Sequence, residues 1–224
     1  MACLLAGVIA HSATAAGPKK EKGAIDSQKV TIQLITKGDP IAGKAKSEAE
    51  RCQECHGHDG HGAEAAIGST ENVAKLAGQY SEYIIKQVRD FRSGSRKHDF
   101  MAIMSKSIDD ADLVDIAAYF SSQRKMEGDG ARDNPIAKNL FVNGDASRNI
   151  LPCISCHGEG GKGASANTLI SPVIGGQQSR YLYKQLLDFR AGERTNSADG
   201  VMNKVTKSLS DAEIEALSNY ISGL

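Results

Sequence analysis

The pentapeptide Cys-x-x-Cys-His occurs twice in this chain, as Cys52-Gln53-Glu54-Cys55-His56 and as Cys153-Ile154-Ser155-Cys156-His157. Each copy has the pattern of a site for covalent attachment of a c-type haem. The two thiols add across the vinyl groups of the porphyrin, and the adjacent histidine binds the iron from one face. The chain has five cysteines, and four of them lie in these motifs. The pattern predicts two covalently bound haem c groups, with Cys52, Cys55, Cys153 and Cys156 holding the porphyrins and His56 and His157 on the irons. Paired Cys-x-x-Cys motifs also build zinc ribbons, but ribbon pairs lie roughly 15–20 residues apart, and here most of a domain separates them. A thioredoxin-like dithiol would sit near a βαβ pattern, and no run of buried strands supplies one.

The motifs anchor an internal repeat. A shift of 101 residues carries Cys52, Cys55 and His56 onto Cys153, Cys156 and His157, and Ser105-Lys106-Ser107-Ile108 onto Thr206-Lys207-Ser208-Leu209. Between these anchors, Leu76-Ala77-Gly78-Gln79 matches Ile174-Gly175-Gly176-Gln177 at a shift of 98, as do Lys86-Gln87 and Lys184-Gln185. A three-residue deletion is thus made good within residues 193–200. Self-similarity at this period means two copies of one small domain. The expected division is a signal peptide over 1–16, an extension over 17–37, a first domain over 38–123, a linker over 124–134 and a second domain over 135–224.

Each copy reads as all-α. A first helix is expected over 41–52, and another over about 136–142, each leading into its motif. A Gly-rich loop follows, and then a middle helix with Tyr80, Ile84, Val88 and Phe91 on one face. Gly94 and Gly192 fit the C-terminal stop of that helix. The last helix starts at Asp109 or Ser210, and Ser210 with Glu213 has the form of a capping box. Leu113, Ile116 and Phe120, answered by Ile214, Leu217 and Ile221, make core stripes. Aromatic content is 5% and tryptophan is absent, so a buried porphyrin would fill out a modest core. Within the extension, residues 30–35 alternate like a short strand.

Lys and Arg together number 27 and are balanced by 27 Asp and Glu. Neither half has the basic field of a nucleic-acid-binding domain. The N-terminus is a short apolar run ending in small residues, and Ala13-Thr14-Ala15 fits a signal-peptidase site. The run is shorter than the roughly 20 residues that span a bilayer. The charged segment that should precede it is missing, so the true start is expected upstream. Export to a bacterial periplasm follows, with Cys3 lost alongside the signal.

A haem iron has two axial positions. Met202, between the middle and last helices of the second copy, maps by the 101 shift onto Met101. These two are the expected second ligands. Met104 maps onto Val205 and reads as core. His98 is a weaker rival, and Met126 lies in the linker with no repeat partner. His58, Asp59 and His61 read as a solvated loop rather than a metal site, because the second copy has Glu159 and Lys162 in the corresponding places. A thioether favours ferrous iron and raises the reduction potential. Two filled axial sites leave no open position for a substrate, which argues for electron transfer without substrate chemistry at the haem.

The two CxxCHG motifs resemble those of the cytochrome c4 family, di-haem cytochromes c. So do Leu76-Ala77-Gly78-Gln79 with Tyr83, Asp115-Ile116-Ala117-Ala118-Tyr119-Phe120, and Gly175-Gly176-Gln177 with Tyr181. The resemblance covers nearly all of residues 38–224. It implies two class I cytochrome c domains related by a pseudo-twofold axis, with haem propionates meeting near their interface. It also implies a periplasmic carrier, loosely membrane-associated in some members. Such a carrier passes single electrons from a quinol-oxidising complex or dehydrogenase to a terminal oxidase. The alternative is the cytochrome subunit of an enzyme oxidising sulfide or thiosulfate. The family places a proline before the middle helix, whose carbonyl accepts a hydrogen bond from the proximal histidine. Pro172 fits, but the first copy has Ala74, so inequivalent haems are expected, the first site being the less rigid.

Overall fold

The computed structural model describes residues 38–62, 73–130, 134–166 and 169–224. The apolar N-terminal run, its Ala13-Thr14-Ala15 site and the strand-like residues 30–35 lie outside the described residues.

Both copies begin with the same capped helix. In α1 (Pro40–Ala49) the Asp39 side chain accepts from Ile41 N, and Pro40 occupies the first turn. In α6 (Pro135–Asn143) Asn134 accepts from Ala137 N ahead of Pro135. A polar cap followed by proline suits a helix start, because the proline lacks an N–H that would be unsatisfied there anyway. The first helix ends sooner than the sequence suggested. Arg51 adopts φ 59°, which breaks the helix and turns the chain so that Cys52 N donates to Ser47 O at 2.9 Å. The motifs then form single helical turns, α2 (Gln53–His56) and α7 (Ile154–His157).

The middle helices are α3 (Ser81–Ser93) and α8 (Ser179–Ala191), and each stops at a left-handed glycine, Gly94 or Gly192. A further helix follows in each copy, α4 (Asp99–Ser107) and α9 (Val201–Thr206). The last helices are α5 (Asp110–Ser122), capped by Asp109, and α10 (Asp211–Ser222), where Ser210 and Glu213 complete a capping box. The second copy also carries a short antiparallel hairpin, β1 (Ala164–Ala166) with β2 (Leu169–Ser171), Ala164 facing Ser171.

The two cores occupy equivalent places but are built differently. The first gathers Ile84, Ile85, Val88, Leu113, Ile116 and Phe120. There α1 lies so close to α5 that a Cβ on Gly43 would come within 1.9 Å of Asp115 O. Lys46 locks the crossing by bridging Asp112 at 2.6 Å and Asp115 at 2.5 Å. In the second copy Leu140, Phe141, Leu217 and Tyr220 fill the equivalent crossing. The Phe141 and Tyr220 rings meet edge-on at 5.6 Å, a favoured aromatic geometry.

The copies join through a reciprocal set of bonds. The Gln79 side chain accepts from Val173 N (3.0 Å) and donates to Val173 O (2.9 Å). Gln177 does the same to Lys75, with distances of 2.8 and 3.0 Å. Lys75 and Val173 are repeat equivalents, as are the two glutamines, so the join is pseudo-twofold. Met126 is fully buried between the halves with Ala77 and Val173. Without a repeat partner, this linker methionine carries no sign of that role in the sequence.

Candidate functional site

In each motif the helical turn places the histidine one turn above the first cysteine, with His56 N bonded to Cys52 O and His157 N to Cys153 O. A glycine must follow. Gly57 takes φ 80°, and a Cβ there would lie 2.4 Å from Gly62 O, so the loop folds back tightly on the histidine. The imidazoles are then oriented from behind. His56 Nδ1 lies 2.7 Å from Ala74 O, and His157 Nδ1 lies 2.9 Å from Pro172 O. A carbonyl can only accept, so each Nδ1 carries the proton and each Nε2 keeps its lone pair. Burial, opposed by these carbonyl bonds, pushes both histidines below their usual range. A neutral imidazole with a free Nε2 is what an iron requires. Alanine at position 74 therefore preserves the bond that proline makes in the second copy.

The four motif thiols are unpaired and half-buried. Burial pushes the Cys52 and Cys153 thiols up to about 11. Free thiols beside an oriented neutral histidine fit a covalently attached porphyrin. Among the described residues no cluster of three or more His, Cys, Asp or Glu forms another metal site. His58 and His61 stay in a turn, where His61 N donates to Asp59 Oδ1.

Met101 and Met202 fall in the first turn of α4 and α9, both half-buried. Their backbones are held by different residues. Met101 N donates to His98 Nδ1 at 3.3 Å, and Met202 N donates to Ser197 Oγ at 3.2 Å. His98 thus serves as a helix cap. Its ring packs edge-on against Phe91 at 6.3 Å.

Sequence reasoning missed a polar cluster between the copies. Arg96 and Arg194 are 8% and 7% exposed, and they are repeat equivalents at the 98 shift. Gln87 Oε1 accepts from Arg96 Nη1 (2.8 Å) and Arg194 Nη2 (3.0 Å). Gln185 Oε1 accepts from Arg96 Nη2 (2.8 Å) and Arg194 Nη1 (2.7 Å). Each guanidinium also reaches a tyrosine of the other copy, Arg96 to Tyr181 and Arg194 to Tyr83. Arg92 and Arg190 hold carbonyls at the start of the last helices, Ile108 O and Leu209 O, and pair with Asp110 and Asp211.

The cytochrome c family model matches residues 41–124 and again 141–224. Cytochrome c4 of Pseudomonas aeruginosa is 40% identical over 190 residues, covering 84% of this chain and 89% of that protein. The chain belongs to the cytochrome c4 family. The crystal structure of reduced recombinant cytochrome c4 from Pseudomonas stutzeri superposes with a TM-score of 0.73 at 40% identity, over 84% of this chain and 100% of that one. A thiosulfate dehydrogenase electron acceptor of Stutzerimonas stutzeri is 30% identical over 205 residues, covering 90% of this chain and 87% of that protein. As a cytochrome c4 relative with both Cys pairs intact, the chain carries two covalent haem c groups and is an electron-transfer di-haem cytochrome. No helix among the described residues is long and apolar enough to cross a membrane.

Proposed function

We propose that His56 and Met101 ligate one iron and His157 and Met202 the other. On this reading residues 38–123 and 135–224 are the two domains, joined by 124–134. When bound, each haem supplies a one-electron iron couple. The chain's own residues do the rest. Cysteines fix the porphyrin edge, and Ala74 O and Pro172 O hold the imidazoles with Nε2 forward. With the haem bound, the Met101 and Met202 thioethers would complete the iron's ligand set and favour the ferrous state. The observation that carries the assignment is the coincidence of two independent features in both halves. Each half has a carbonyl-oriented histidine on a one-turn helix, and each has a methionine in the first turn of the helix after the middle one.

The reaction we assign is transfer of single electrons in the bacterial periplasm, from a quinol-oxidising complex or dehydrogenase to a terminal oxidase, without substrate chemistry of its own. The likeness to thiosulfate dehydrogenase electron acceptors supports a second reading, in which the chain is the cytochrome subunit of a sulfide or thiosulfate dehydrogenase. Co-purification separates the two: a stoichiometric dehydrogenase chain favours the second. Met101→Ala and Met202→Ala should each abolish the sulfur-to-iron charge-transfer band of one ferric haem and lower its potential. Loss of the band in Met104→Ala, with Met101→Ala unaffected, would overturn the assignment. A redox titration should resolve two midpoints, because the histidine carbonyl and the methionine cap differ between the copies.

A further inference from the structure

The hydrogen bonds that orient the two histidines do not end at the carbonyls. Ala74 O and Lys75 N belong to one planar peptide unit, as do Pro172 O and Val173 N. In the first unit Ala74 O accepts from His56 Nδ1 at 2.7 Å, and at the other end Lys75 N donates to Gln177 Oε1 at 2.8 Å. In the second, Pro172 O accepts from His157 Nδ1 at 2.9 Å, and Val173 N donates to Gln79 Oε1 at 3.0 Å. Each series of bonds therefore starts at a histidine of one domain and finishes on a glutamine of the other.

Both glutamines are held rigidly for that contact. Each is 4% exposed. Gln177 Oε1 also accepts from Gln178 N at 3.0 Å, and Gln79 Oε1 from Tyr80 N at 3.1 Å. Those two N–H groups belong to the residues that precede the first turns of α8 and α3, so each oxygen is anchored to the middle helix of its own domain. Nε2 donates to a carbonyl of the opposite domain, Lys75 O or Val173 O. Two N–H donors on Oε1 and a carbonyl on Nε2 permit one orientation of the amide. An acceptor on the N–H of a peptide unit shifts electron density toward its carbonyl oxygen, because bonds in series polarise one another. A stronger acceptor behind Nδ1–H in turn makes Nε2 a more basic ligand.

We propose that Gln177 and Gln79 are positioning residues that set the donor strength of the axial histidine in the opposite domain, Gln177 acting on His56 and Gln79 on His157. The inference rests on the reading of these histidines as iron ligands. A more basic imidazole favours ferric iron, and hydrogen bonding behind an axial ligand is one of the means by which a protein sets a haem potential. Each glutamine thus lowers the potential of the haem in the domain to which it does not belong.

The test uses the holoprotein with Gln177→Met and Gln79→Met, which keep the length of the side chain and remove the amide. Gln177→Asn and Gln79→Asn, whose amide falls one methylene short, keep a polar group at the join. Two quantities are read: the midpoints by spectroelectrochemistry, and the proton NMR shifts of the residue-assigned Nδ1–H groups of His56 and His157 in the reduced protein. Each of those signals is lost as its own iron is oxidised, which assigns each midpoint to a domain without reference to the methionines. The Gln177 variants should raise the first-domain midpoint and move the His56 signal upfield, as a weakened hydrogen bond does, leaving His157 and the second midpoint nearly unmoved. The Gln79 variants should give the mirror result, and the asparagine pair the same crossed pattern at smaller size. A lower melting temperature with both signals and both midpoints unchanged would make the glutamines a structural clamp and overturn the proposal. A shift in the variant's own domain, or equal shifts in both, would overturn it as well. Histidine signals that survived oxidation unchanged would overturn the histidine ligand reading and this proposal with it. The Met101→Ala and Met202→Ala proteins test the methionine assignment separately.

Discussion

Asn203 follows Met202 and ties together both sides of the Gly192 turn. Its Nδ2 donates to Phe189 O at 2.7 Å and to Arg194 O at 2.8 Å. Its Oδ1 is the one buried side-chain atom among the described residues that lacks a partner. The repeat equivalent is Ala102, which can make neither bond. Asn203→Ala leaves two carbonyls without these donors but also removes an orphaned acceptor. The net loss should therefore be modest, about 1–2 kcal/mol against the 1–3 kcal/mol of a single unsatisfied buried group. Denaturant unfolding followed by circular dichroism measures it, and an unchanged midpoint would mean the two bonds contribute nothing. Met101 and Met202 could be picked from five methionines because the repeat supplies a second copy to compare. Asn203 has no such copy, and nothing in its neighbours signals that its amide closes a loop.

At the scale of elements, the two last helices begin alike but are anchored differently. Glu213 completes the capping box on α10, and Arg148, in the 3-10 turn Ala146–Arg148 after α6, grips its carboxylate at 2.7 and 3.1 Å. The Arg148 bonds, aided by Ser210, hold the Glu213 carboxyl at about 2, well below its usual 4.5. A depressed carboxyl stabilises the fold above its unfolded pKa and ceases to do so as pH falls through the folded value. Glu213→Gln should therefore cost about 1 kcal/mol near pH 7. That difference should shrink below pH 4.5 and vanish near pH 2, as read from urea midpoints across that range. A difference that grew on acidification would reverse the sign and contradict the assignment. Caps and glycine stops were legible because their chemistry is local: Asp109, Ser210, Gly94 and Gly192 act within one turn. The methionine helices α4 and α9 were not legible. They are short, start from caps as unlike as His98 and a left-handed Gly200, and bury few apolar residues, so no periodicity marks them.

Across the whole molecule the bonds that matter most lie about a hundred residues apart in sequence. Gln79 on Val173, Gln177 on Lys75 and the arginine cluster all cross the boundary, and no window of sequence contains both partners of any of them. The two domains should therefore unfold together as long as the join holds. Each glutamine is 4% exposed and satisfies both the N–H and the C=O of one residue in the opposite domain. Removing Gln79 leaves both backbone groups of the buried Val173 unpaired, at about 1–3 kcal/mol each, and removing Gln177 does the same at the half-buried Lys75 at a smaller cost. Gln79→Ala and Gln177→Ala singly should lower a single cooperative transition. The double variant should split it, since it removes all four bonds that tie the Val173 and Lys75 backbones to the opposite domain. The first domain should melt at the lower temperature. Its opening helix is held to α5 by Lys46 ion pairs, which remain about a third exposed, and partly exposed pairs contribute little. The second domain relies there on Leu140, Phe141 and Tyr220, whose burial is worth about 1.5–3 kcal/mol per large side chain. Calorimetry of the holoprotein resolves the two transitions, and haem absorbance of the Met101→Ala and Met202→Ala backgrounds identifies which domain each belongs to. If the transition persisted as one in the double variant, the remaining contacts across the boundary would suffice to hold the halves as a unit.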